Sequence, residues 1–98
     1  MAVVSMMRFT GDPDELFATV TERVDPVTSR LSPKHGRIGN IVARTDDGIL
    51  VVNIWESEEG RQAMAEEPEV QDAVRSAGLP PPQFDGYEVL SLSLTAAG

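Results

Sequence analysis

The chain has no cysteine. Disulfides, thiolate nucleophiles and cysteine-ligated zinc or iron–sulfur sites are therefore excluded. Histidine occurs once, at His35. A zinc site would have to be mostly carboxylate, against that ion's preference for nitrogen and sulfur. Positive charge is scarce: 8 Lys+Arg stand against 16 Asp+Glu, a net charge of −8. Nucleic acids are bound by basic side chains that displace counterions from phosphate, so a nucleic-acid partner is not expected. Attachment to anionic lipid is disfavoured for the same reason. No apolar run approaches the ~18–20 residues of a membrane span. Residues 1–10 lack the basic start and cleavage site of a signal peptide. These absences point to a cytoplasmic protein without a membrane partner. At 98 residues, with no repeat or long linker, residues 1–98 read as a single domain.

What is present reads as alternating strands and helices. Residues 3–9 are apolar and β-branched at their start, a first strand stopped by Gly11. Asp12 suits a helix N-cap, Pro13 the first helical position and Glu15 a capping box. Leu16, Val20, Val24, Val27 and Leu31 follow at helical spacing as one buried stripe. Pro26 should kink or split that helix near Asp25, and Ser32-Pro33-Lys34-His35-Gly36 should end it in a loop. Residues 37–45 and 49–55 form two strands around an Asp47-Gly48 hairpin turn. Ser57 caps a second helix that Pro68 interrupts and Gly78 ends. Leu79-Pro80-Pro81-Pro82 makes a stiff connector. Residues 87–94 alternate and form a fourth strand, and residues 95–98 read as a frayed tail.

The order βαββαβ is the ferredoxin-like pattern: an α+β fold in which a four-stranded antiparallel sheet carries two helices on one face. It brings His35 and Trp55 to the same end of the molecule. A two-residue turn pairs Val51 with Arg44, Asn53 with Val42 and Trp55 with Asn40. One sheet face then holds Asn40, Val42, Val51, Asn53 and Trp55, and the other Ile41, Ala43, Leu50, Val52 and Ile54. A slip of two residues preserves this partition. In the fourth strand Leu90, Leu92 and Leu94 separate from Val89, Ser91 and Ser93, placing Ser91 on the mixed side. An aliphatic face of this size does not stay wet in a stable monomer. Either it meets its copy in a barrel-like homodimer, leaving the mixed face under the helices around a pocket, or the helices cover it and the mixed face becomes a polar interface.

The run Val51-Val52-Asn53-Ile54-Trp55-Glu56-Ser57-Glu58-Glu59 resembles the antibiotic biosynthesis monooxygenase-like family of dimeric α/β barrels. Ala63-Met64, the Pro68 break and the late Tyr87-Glu88-Val89 strand fit the same pattern. The resemblance implies a homodimer and, in the cofactor-free oxygenases of the family, an Asn and a Trp of the third strand in the substrate cavity. Asn53 and Trp55 are those residue types here. An amide can hydrogen-bond a phenolate or enolate as charge develops, and an indole offers a flat wall with one N–H. Heme-degrading relatives use a histidine of the second helix, and residues 57–78 contain none.

The resemblance thus implies a cofactor-independent monooxygenase-like protein acting on a small aromatic or conjugated substrate, with no cofactor. Its alternative is a non-catalytic ligand-binding or structural dimer of the same fold. The catalytic candidates are Asn53, Trp55 and His35, the last as a base at the rim. Asn40, Arg37, Tyr87 and Ser91 are candidates for holding substrate. Each has a plainer reading: Trp55 as core, Asn53 and Asn40 as structural hydrogen-bonders, His35 as a solvated loop residue, Arg37 and Arg8 as surface ion pairs. Glu66, Glu67, Glu69 and Asp72 read as a solvated helix face, and Met6 and Met7 as core.

Overall fold

The computed structural model describes residues 1–95; of the tail expected at 95–98 only Thr95 falls within them, outside any regular element. The elements are β1 (Val3–Thr10), α1 (Pro13–Thr19), α2 (Asp25–His35), β2 (Arg37–Arg44), β3 (Gly48–Trp55), α3 (Glu58–Ala65), α4 (Pro68–Ala77) and β4 (Gln83–Glu88). The sheet is antiparallel in the order β2-β3-β1-β4. This is the expected ferredoxin-like α+β arrangement, but each of its two helices is divided.

Asp12 caps α1 through Oδ1, which accepts from Glu15 N at 3.0 Å. Between α1 and α2 the backbone widens into a π-type turn over Val20–Val24, where Asp25 N donates to Val20 O, five residues back. Pro26 explains it: a proline ring collides with the carbonyl four residues earlier, and a wider turn relieves that collision. Pro68 opens α4 after the break expected of it, and Gly78 ends α4 in the left-handed region (φ 67°).

The loop expected at residues 32–36 is instead the final turn of α2, which keeps Pro33 inside it and ends at Gly36. One lost backbone bond is outweighed by burial of Leu31 and Ser32. The junction with α3 adds to this. Glu56 N donates to Gly36 O at 2.8 Å. A Cβ on Gly60 would lie 2.2 Å from the His35 carbonyl oxygen, so α3 seats directly on the end of α2.

The hairpin tip is Asp46-Asp47 rather than Asp47-Gly48, closed by Thr45 N donating to Gly48 O at 3.0 Å. Asn40 therefore faces Asn53, Val42 faces Val51 and Arg44 faces Ile49, two residues from the expected pairing. The faces survive, as a shift of two requires. Gly48 serves a different purpose from a turn glycine: a Cβ there would stand 1.8 Å from Phe9 O of β1.

The fourth strand also differs. It spans Gln83–Glu88 and is exposed throughout, whereas residues 87–94 were expected. Among the described residues β1 is its only neighbour, and pairing ends with Val3 opposite Glu88 and a last bond from Val89 N to Ala2 O. Leu90, Leu92 and Leu94 accordingly lie outside the sheet, exposed by 92%, 42% and 76%.

Two apolar clusters pin the helices to the sheet. Phe9, Leu16, Val20, Ile49 and Val51 form one, and Leu31, Trp55 and Met64 the other. Val51, Asn53 and Trp55 are all buried on this side. The opposite face has no helix: Leu50, Val52 and Ile54 are only half-buried there and Ile41 is exposed. Of the two arrangements the sequence permits, the mixed face lies under the helices and the aliphatic face is open.

Candidate functional site

Between the two clusters the helices do not close on the sheet. A cavity of about 590 Å³ lies against Trp55, Asn53, Met7 and Phe84 of the sheet, under Met64 of α3 and Val70 and Val74 of α4. A second lobe of about 280 Å³ runs the other way, toward Phe9, Val51 and the Pro80-Pro81-Pro82 connector. Met7, Val24, Thr28, Arg37, Asn53 and Val74 border both lobes and so form the waist between them.

The waist is polar. Asn40 Nδ2 donates to Asn53 Oδ1 at 2.8 Å, and Arg37 Nη1 donates to the same oxygen at 3.3 Å. The register makes this possible: Asn40 and Asn53 are directly opposite, and a bulge between Arg37 and Gly39 brings Arg37 opposite Trp55. A guanidinium can only donate, which fixes the orientation of the Asn53 amide. The Asn53 oxygen is thereby occupied, while its N–H2 group has no partner among the described residues. Burial pulls the Arg37 guanidinium below its ordinary range, and the field of Asp25 acts in the opposite sense.

Trp55 is 5% exposed and belongs to both the core and the cavity wall. Its indole N–H is not free, because Nε1 donates to Ser5 Oγ at 3.2 Å and Ser5 is itself buried. Trp55 offers the cavity a surface rather than a donor. A hydroxyl within the apolar run Val3-Val4-Ser5-Met6-Met7 is the sequence signal for such a partner, since a buried hydroxyl must be paired. Arg61 lies 5.3 Å from the Phe84 ring centroid, bridges to Glu58 and closes one flank of the larger lobe.

Asn53, Trp55, Arg37 and Asn40 therefore meet at the cavity, Asn40 from the smaller lobe. The other three candidates do not. His35 lines neither lobe; as part of the last turn of α2 rather than a loop, its Nε2 lies 2.8 Å from Glu67 Oε1. That hydrogen bond, with a second from Lys34, holds the Glu67 carboxyl below its ordinary range. Tyr87 pairs with Val4, which pairs with Ile54, and so stands on the open face. Ser91 lies beyond β4, exposed and outside the sheet. Among the described residues no three His, Asp or Glu side chains gather as a metal site.

A four-stranded antiparallel sheet with its helices on one face defines the class of fold. The chain has the fold of the antibiotic biosynthesis monooxygenase-like proteins. It is similar to a candidate antibiotic biosynthesis monooxygenase from Chloroflexus aurantiacus J-10-fl, with 19% identity, coverage of 100% of this chain and 98% of that one, and a TM-score of 0.65. The ActVA-Orf6 monooxygenase of Streptomyces coelicolor, solved in complex with nanaomycin D, shares 20% identity over 97% of this chain and 92% of its own (TM-score 0.66). SnoaB, a cofactor-independent oxygenase from Streptomyces nogalater, shares 11% over 93% of each chain (TM-score 0.66). No protein-family model and no curated protein matches the sequence.

Proposed function

We propose that the protein is a cofactor-independent monooxygenase-like enzyme that acts, as a homodimer, on a small aromatic or conjugated molecule. The observation that carries this reading is the hollow of about 590 Å³ beneath the helices, walled by an indole and faced by an amide N–H2 whose oxygen is held from behind. A pocket of that size and lining suits a molecule of two or three fused rings. In the reaction a doubly activated ring CH2 loses a proton to solvent base, and the carbanion reduces dioxygen. The resulting peroxide loses water, so that CH2 plus O2 becomes C=O plus H2O. Asn53 Nδ2 donates to the substrate oxygen that carries the anionic charge, a contact that strengthens as the charge develops. Trp55 supports the ring, while Asn40 and Arg37 position Asn53. His35, Tyr87 and Ser91 take no part.

The test is oxygen uptake with a panel of anthrones and quinols. Consumption of one O2 per ketone formed is expected, and Asn53→Ala should lower it by roughly 10²-fold with an unchanged circular dichroism spectrum. A wild-type protein that consumes no oxygen with any of them would favour the second reading, a non-catalytic binder. That reading draws on the lining of the larger lobe, which includes no carboxylate or histidine to serve as a base.

A further inference from the structure

Among the described residues Arg37 forms no ion pair with an acidic side chain. Among the described residues, Arg30, Lys34, Arg44, Arg61 and Arg75 are each in an ion pair. Arg8, Arg23 and Arg37 are not, and of these only Arg37 is withdrawn from solvent. Its one side-chain partner is the neutral oxygen of Asn53. Asp25, which also borders the smaller lobe, acts on it through space without forming an ion pair. A guanidinium taken partly out of water with only a neutral acceptor is costly unless something anionic completes it. It borders both lobes, and beside it lies the unpartnered Asn53 N–H2. The other two guanidinium groups on the larger lobe, Arg61 and Arg75, are already matched by Glu58 and Asp72.

We propose that the waist of the cavity, Arg37 together with the Asn53 amide, is a carboxylate-binding site, and that the ligand is an aromatic or conjugated carboxylic acid whose apolar body fills the larger lobe. A guanidinium fork meets a carboxylate with two parallel N–H···O bonds, and Asn53 adds a third donor. A single unmatched cation suits a monoanion; a phosphate dianion would find no second one. The inference rests on the reading of this cavity as a ligand site, and deepens it by naming the group that orients the ligand.

Trp55 is the only tryptophan and walls the cavity, so its fluorescence reports occupancy. Anthracene-2-carboxylate and the neutral anthracene-2-methanol share one ring system and differ in the group at issue. The carboxylate should quench Trp55 at roughly 10–100-fold lower concentration than the alcohol, the range spanned by hydrogen bonds to a charged group. Arg37→Gln should bring the carboxylate's affinity down to the alcohol's, weakening the carboxylate far more than the alcohol. Arg37→Lys, which keeps the charge without the fork, should retain part of the preference. Equal binding of the two probes by the wild type overturns the site, as does absence of quenching by the carboxylate. So does equal weakening of both by Arg37→Gln, which would mean that Arg37 only shapes the cavity. The wild-type comparison stands even if the variants do not fold. Oxygen uptake is a separate readout: carboxylate-selective binding without oxygen consumption removes the oxygenase reading and leaves this site intact, and oxygen consumption confined to neutral substrates does the reverse.

Discussion

The Asn53 side chain is oriented by its neighbours. Two donors share its side-chain oxygen, which fixes the amide and leaves its N–H2 without a partner among the described residues. Asn53→Asp should separate structure from function: a carboxylate there would keep both donors and gain an ion pair with Arg37, so stability should hold in urea unfolding. Oxygen uptake should nevertheless fall as far as in Asn53→Ala, because the donor is gone. Trp55→Phe would leave the Ser5 hydroxyl buried without its partner, at a cost of about 1–3 kcal/mol beyond the lost ring area, measurable by the same unfolding. Much of this was legible in the sequence. Asn40, Asn53 and Trp55 sort to one face by the two-residue period of a strand, which does not depend on knowing the turn. The roles of Ser5 and Phe84 were not, because they enter from β1 and β4, whose register to β3 no local pattern fixes. His35 was misplaced because Pro33 reads as a helix breaker, and only the packing of α3 on the end of α2 shows why it is tolerated.

At the scale of elements, the close approaches decide more than the turns. Gly48→Ala would drive a methyl group into the Phe9 carbonyl and force β3 away from β1. It should cost more than about 3 kcal/mol, well beyond an ordinary turn glycine, and urea unfolding would show it. The contact between α2 and the start of α4 is electrostatic and depends on pH. Glu67 is held below its ordinary range by His35 first and then Lys34, and Glu58 is held down by Arg61. A carboxylate whose folded pKa is depressed lends stability above its unfolded value and loses it as the pH falls through the folded one. Glu67→Gln should therefore be less stable than wild type near neutrality, the two drawing together below pH about 4, as urea midpoints across that range would show. The division of the first helix was legible in Pro26, and that of the second in Pro68. The fourth strand was not: the alternation at Leu90, Leu92 and Leu94 is a genuine strand pattern, but the ladder with β1 ends at Glu88.

For the whole molecule, the open face is the outstanding apolar surface. Val52 and Ile54 stand at its centre with Leu50 and Ile41 beside them, and the three leucines beyond β4 add to the unburied area. A second copy of the chain is the occupant that the proposed homodimer supplies. Sedimentation should give twice the 10.6 kDa of the chain, and Ile54→Lys should reduce it to one while the helix-side clusters keep the subunit folded. A wild-type particle of 10.6 kDa would rule the dimer out. Two junctions of the subunit are also unlike. At one, Glu56 is tied to Gly36 and α3 rests on the His35 carbonyl. At the other stand Pro80, Pro81 and Pro82, three residues with no amide hydrogen to give, so they can join a main-chain bond only through their carbonyls. The connector is therefore held by side-chain packing rather than by amide hydrogen bonds of its own prolines, unlike the tied junction of α2 with α3.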